Sequence, residues 1–124
     1  MALAKPKPLH WIASSLNDMR ALPDEVQDDL GYQLGYAQFG AMPPSAKPWK
    51  GEGPGVFEVV EDYRGDTYRA VYTVRFAEAV YALHVFQKKS PKGIKTRQSD
   101  VDLVKRRLKE AQRQYEEQYG QGHE

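Results

Sequence analysis

A chain of 124 residues has room for one hydrophobic core, so a single domain is expected, its folded part spanning about residues 9–117 between short flexible ends. Its 40% hydrophobic and 28% charged residues exclude wholesale disorder, and the absence of cysteine excludes a disulfide framework or a thiolate metal site. The net charge of +1 conceals a split: residues 1–62 hold 5 Lys/Arg against 9 Asp/Glu and residues 63–124 hold 13 against 8, which suggests a local surface for a polyanion.

The N-terminal stretch Met1-Ala-Leu-Ala-Lys-Pro-Lys-Pro8 has no apolar signal region, and no run in the chain approaches the about 20 apolar residues of a membrane span. A cytoplasmic protein is expected. Leu9-His-Trp-Ile12 reads as a short strand. Ser14 or Ser15 can cap a brief helix ending near Leu22, and Pro23-Asp-Glu25 opens a second helix. Val26, Leu30, Leu34 and Ala37 form one face of that helix, and Gly40 stops it. Gly31 and Gly35 inside it each cost about 1 kcal/mol relative to alanine, so close packing of the helix on a sheet is expected there.

Residues 40–55, rich in proline and glycine, read as a long surface loop carrying Lys47, Trp49 and Lys50. Three strands follow, about 56–62, 67–76 and 79–87, joined by turns at Arg64-Gly-Asp66 and Ala77-Glu78 that make them antiparallel neighbours. Alternation places Arg69, Val71, Thr73 and Arg75 on one face of the middle strand and Tyr68, Ala70, Tyr72 and Val74 on the other. The last strand, Tyr81-Ala-Leu-His-Val-Phe-Gln87, runs into Lys88 and Lys89, and Ser90-Pro-Lys-Gly93 breaks it. A closing helix from about Ser99 to Tyr119 carries Val101, Val104, Leu108, Ala111 and Tyr115 as its apolar stripe. The order β-α-α-β-β-β-α predicts a small α+β domain, a sheet of about four strands with helices packed on one face and the other face open as a site.

Trp11 with Ser14-Ser-Leu16, Leu22-Pro23, Gly31-Tyr32, Gln38-Phe-Gly40, Lys47-Pro-Trp-Lys-Gly51, Val56-Phe-Glu58, Thr67-Tyr-Arg-Ala-Val-Tyr72 and Tyr81 through Ser90 occur together in this order. In that combination the chain resembles the RelE/HigB-type toxins of bacterial type II toxin–antitoxin systems, in the phage-derived HigB-like branch of the RelE/ParE superfamily, over about residues 10–112. The resemblance implies a RelE-like fold and inhibition of translation by metal-independent cleavage of mRNA, commonly on the ribosome. It also implies neutralisation by a helix-turn-helix antitoxin, through which alone DNA would be met. Two features depart from the family. Arg97 stands where a proline usually follows the threonine, and a long charged helix replaces the short tail that supplies an aromatic to the site in some RelE enzymes.

Cleavage of this kind uses the neighbouring 2′-hydroxyl as nucleophile, and needs a proton acceptor, cations on the phosphoryl oxygens and a proton donor to the leaving oxygen. No metal or cofactor is expected. Arg69 is the first candidate for a phosphate clamp, its bland alternative being an ion pair with Glu58 or Glu61 across the strands. Lys88 and Lys89 follow the last strand on opposite sides, so one of them faces the site. His84, inside an apolar strand, reads as a buried and satisfied histidine, and the resemblance keeps it as a candidate acid or base. Lys47, Lys50, Arg75, Lys92, Lys95 and Thr96 are candidate RNA contacts, Thr96 alternatively a helix cap. Trp49 either stacks on a base or plugs the core. The competing function is a non-enzymatic interaction protein on the same fold, such as a gyrase-binding toxin of ParE type.

Overall fold

The computed structural model describes residues 5–88 and 96–120, and the expected elements occur there in the expected order. β1 (Leu9–Trp11) leads into α1 (Ser15–Arg20) and α2 (Asp24–Gln38). β2 (Lys47–Pro48), β3 (Val56–Tyr63), β4 (Asp66–Thr73) and β5 (Val80–Gln87) follow, and α3 (Gln98–Tyr115) runs on into a π-helical turn, Glu116–Gly120. Pro23, with φ −56°, presets the entry to α2, and Asp24 and Glu25 meet the positive end of its dipole. Gly40, at φ 83°, ends it. Arg64 and Gly65, both at positive φ, make the two-residue turn whose twist suits the β3–β4 hairpin. Ser14 stands at the N-cap of α1 without a side-chain cap bond; its hydroxyl donates instead to Asp18 Oδ2 at 2.8 Å.

The sheet has five strands in the order β1-β5-β4-β3-β2, with β1 parallel to β5 and the other pairs antiparallel. The additional strand comes from the segment expected to be only loop: Lys47 pairs with Glu58 and Pro48 with Phe57. An edge position suits Pro48, which has no N–H to donate.

Helices lie on both faces of the sheet, not on one. Tyr68, Ala70 and Tyr72 of β4 pack with Val59 and Val85 against Val26, Leu30, Leu34 and Ala37 of α2. From the opposite face Val71 packs with Ile12, Trp49, Val56, Tyr81 and Leu83 against Val104, Leu108 and Ala111 of α3. Two amphipathic helices with one apolar stripe each need two apolar surfaces, and the alternation along β3–β5 supplies one per face. Gly31 and Gly35 do not press α2 onto the sheet. They lie away from the core, and a Cβ built at either would meet nothing within 4 Å.

One irregularity sets the end of β5. Val71 pairs with His84 but Tyr72 pairs with Ala82, so Leu83 is an extra residue, a β-bulge. Val80 and Val85 both pack on the α2 side, whereas Tyr81, Leu83 and Phe86 belong to the α3 side. The bulge thus reverses the parity of everything after it.

Candidate functional site

The α3 side of the sheet is divided. Near β1 it is a closed apolar core; towards the ends of β3, β4 and β5 it turns polar. There Arg69 of β4 reaches diagonally to Glu58 of β3, Nη1 to Oε1 at 2.5 Å, and both side chains are about nine-tenths buried. Arg69 Nε has no hydrogen-bond partner among the described residues. Arg69 therefore does not stand on an open face as a free clamp; it is 8% exposed and ion-paired. A buried carboxylate needs a cation beside it, and Arg69 supplies that cation. Glu61, the other partner considered for Arg69, points to the opposite face and meets Asp29 of α2.

Because of the bulge, Lys88 follows β5 on the Arg69 side, its backbone N–H donating to Thr67 O at 2.8 Å. Burial holds its ammonium below the usual lysine range, helped by the positive charges of Arg69 and Lys47 and opposed by Glu58. Lys47 joins the group from β2, whose register sets it beside Glu58. Lys47, Glu58, Arg69 and Lys88 thus form one electrostatic cluster drawn from three strands and the residue that follows a fourth.

His84 adjoins it. Its Nε2 lies 2.8 Å from Asp100 Oδ1 in the first turn of α3, and its ring stacks on Phe86 with centroids 4.3 Å apart. Nδ1 is buried with no partner among the described residues. Burial lowers the imidazole pKa from its ordinary 6.5, against the Asp100 carboxylate, which raises it. A carboxylate on one ring nitrogen favours the tautomer protonated there, which leaves a lone pair on the other. Arg107 of α3 braces the same region, donating to Leu83 O and Ser14 Oγ, each at 3.0 Å.

Other candidates fall elsewhere. Trp49 is 4% exposed and seated in the α3-side core, so it is a plug and not a stacking platform. It directly follows β2, and its backbone N–H donates to Val56 O at 2.9 Å, which holds it against the start of β3. Arg75 lies beyond the end of β4, not on it. Its guanidinium is spent on the carbonyls of Glu52 and of Pro54, the latter at 3.0 Å from Nη2, and so fastens the loop at Gly55. Lys50 is exposed on that loop. Thr96 precedes α3 but is not its cap, since Arg97 holds that position without a side-chain cap bond. Lys89, Lys92 and Lys95 lie outside the described residues.

Sequence reasoning undervalued Glu58 and Asp100. It offers the first only as a partner for Arg69 and gives the second no place in the site. A carboxylate alternating with Val56 and Val60 along an apolar strand was the available signal for Glu58. Nothing in the sequence links Asp100 to His84. Among the described residues no group of three or more His, Cys, Asp or Glu is placed to hold a metal ion. No helix among them is long and apolar enough to cross a membrane.

The sequence pattern of the family described as phage-derived protein Gp49-like matches residues 17–109. In fold the chain is similar to a free-state mutant of the E. coli toxin RelE, with a TM-score of 0.55 and 17% identity over 86% of this chain and 98% of that one. It is also similar to a chain of the toxin–antitoxin complex RelBE2 from Mycobacterium tuberculosis, with a TM-score of 0.44 and 21% identity over 73% of this chain and all of that one. No curated protein matches the chain in sequence.

Proposed function

The chain belongs to the phage-derived Gp49-like family, and from that premise and its RelE-like fold we propose that it is the toxin of a type II toxin–antitoxin pair, an endoribonuclease that inhibits translation by cleaving mRNA. The observation that carries this reading is the cluster of Lys47, Arg69 and Lys88 around Glu58, on the same sheet face as the His84–Asp100 pair. Cations held on a rigid sheet are what a dianionic phosphorane-like transition state requires, because they need no reorganisation when charge develops.

In this reading Lys88 and Arg69 stabilise the phosphoryl oxygens. The neutral His84 imidazole or the Glu58 carboxylate accepts the 2′-hydroxyl proton, and the hydroxyl oxygen attacks phosphorus. A 2′,3′-cyclic phosphate forms, the P–O5′ bond breaks, and a proton from a cationic side chain returns to the leaving 5′-oxygen. Asp100 orients the imidazole from behind. With its pKa lowered, His84 is neutral above its ordinary 6.5, so cleavage that depends on it falls only on the acid side of that value. The ribosome contributes by fixing the substrate in line, a positioning effect that a site without an optimised base needs. The proposed partners are mRNA, the ribosome and a helix-turn-helix antitoxin, which would restrain the toxin by binding it. The cytoplasm is the proposed compartment.

One observation favours the non-enzymatic reading: Arg69 is buried against Glu58, as a purely architectural ion pair would be. Primer extension on cellular mRNA after induction separates the two. Discrete new 5′ ends in the parent, absent in Lys88→Ala, are expected. If the parent yields none, even in a reconstituted reaction with ribosomes, the nuclease reading fails and a partner such as gyrase becomes the target to test.

A further inference from the structure

α2 buries Val26, Leu30, Gln33, Leu34 and Ala37. Its opposite side is divided along its length. The first half carries Asp24 and Asp28, with Glu25 and Asp29 on the flank towards β3, and the helix holds no Lys or Arg at all. The second half is aromatic. Tyr32 is 66% exposed and Phe39 56%, with Met42 just beyond at 57%. Tyr32 and Tyr36 meet edge to face with centroids 5.3 Å apart and share a hydroxyl–hydroxyl hydrogen bond of 3.2 Å. With Gly35, Phe39 and Ala41 they line a shallow groove of about 380 Å³.

Large aromatic and methionine side chains grouped on one surface are costly to leave in water and are the residue types that dominate protein interfaces. Gly35 forms the floor of the groove, and nothing in the monomer requires a glycine there, since a Cβ would enter open space. A glycine inside a helix costs about 1 kcal/mol relative to alanine. Another backbone approaching the groove would make use of the missing side chain.

Charge decides what that neighbour is. The far end of α2 is tied to the N-terminal segment, Lys7 N donating to Gln38 O at 2.7 Å and Gln38 Nε2 donating to Lys7 O at 2.8 Å. Each α2 therefore has an acidic end and a lysine-bearing end, with the aromatic groove between. We propose that a second copy of this chain docks here, α2 against α2 in antiparallel fashion about a two-fold axis near Gly35. Tyr32 of each copy then meets the partner copy's Phe39, and the Asp28 end of each helix comes within a turn of the other's Lys7. The helix dipoles run opposed, and a net charge of +1 offers little long-range repulsion between copies. The contact is isologous, so it closes as a dimer and does not extend into a fibre.

Sedimentation of the purified full chain, from micromolar to hundreds of micromolar, tests this. The parent should pass from monomer to dimer across that range. Gly35→Glu and Phe39→Ser should weaken dimerisation about 100-fold, because each change acts twice in a two-fold contact. Their circular-dichroism melts should stay close to the parent's, since Gly35 faces open space and Phe39 lies outside both apolar cores. Asp28→Lys should also weaken the dimer, and Asp28→Lys combined with Lys7→Glu should restore it. Only a self-complementary pairing gives that rescue. A parent monomeric throughout overturns the proposal, as does a dimer that persists in Gly35→Glu. A groove protected only when some other protein is added would likewise assign it to that protein and overturn it. None of these outcomes depends on RNA cleavage.

Discussion

The two faces of the sheet are built from the same three strands and end up with opposite characters. On the α2 face, Val59, Ala70, Tyr72 and Val85 meet an apolar helix stripe and close into an apolar core. On the α3 face, Val56, Val71 and Leu83 do the same for part of the length, and then Glu58, Arg69, His84 and Lys88 take over. Alternation alone makes two faces. What differs is that α3 leaves the ends of β3, β4 and β5 to charged groups that neutralise one another. The lesson is that a charged cluster can be built within a core, at the edge of the apolar packing that keeps it rigid, so that the charges proposed for function also carry stability.

That coupling predicts the largest effect. Arg69→Ala should reduce RNA cleavage about 100- to 1000-fold, the usual loss for one transition-state-stabilising donor. It should also destabilise the fold by about 3–5 kcal/mol, because Glu58 is left as a buried carboxylate without its cation. This second effect departs from what an exposed clamp would show, which is a nearly unchanged melt. Adding Glu58→Gln to Arg69→Ala should recover much of the melting temperature and none of the cleavage. Recovery of both would mean the pair is architecture alone.

The opposite face should separate the two quantities the other way. Leu34→Ala removes a fully buried side chain from the α2 core and should cost about 2–5 kcal/mol in chemical denaturation. Cleavage per folded molecule should stay at the parental rate. A loss of rate in the folded variant would show that the faces are coupled after all.

Lys88→Ala comes next. Its side chain belongs to the charged cluster and not to the apolar packing, so cleavage should fall about 100-fold with the melt little changed. A parental rate in this variant would remove Lys88 from the site.

The smallest effect concerns a polar group on the α2 face. Burial there, reinforced by the neighbouring Asp29 carboxyl, raises Glu61 from 4.5 to about 7. A raised carboxylate favours the folded state only while protonated, so its contribution is full below 4.5 and is lost as the pH rises through about 7. Glu61→Gln should therefore melt with the parent at acid pH and above it beyond neutrality. Melts offset equally at all pH values would contradict a shifted Glu61.

Much of this was legible in the order of residues. The periodicity of Val26, Leu30, Leu34 and Ala37 defined α2, the Arg64-Gly65 pair defined a hairpin, and the alternation of β4 sorted Arg69 and Val71 from Ala70 and Tyr72. Such signals are local, since side-chain direction repeats every 3.6 or 2 residues whatever the rest of the chain does. The depth of Trp49 and the company of Arg69 were not legible, because both depend on which strands lie alongside. Nor was the side taken by Lys88. Strict alternation from Val80 would have sent it to the α2 face, and one extra residue at Leu83 turns it to the other. A bulge exists only between paired strands, where two residues stand opposite one. The sequence by itself singled out the candidates for phosphate chemistry and placed Arg69 and His84 on their strands. The pairing of β4 with β5, and the return of α3 to bring Asp100 against His84, decided which of them share a site.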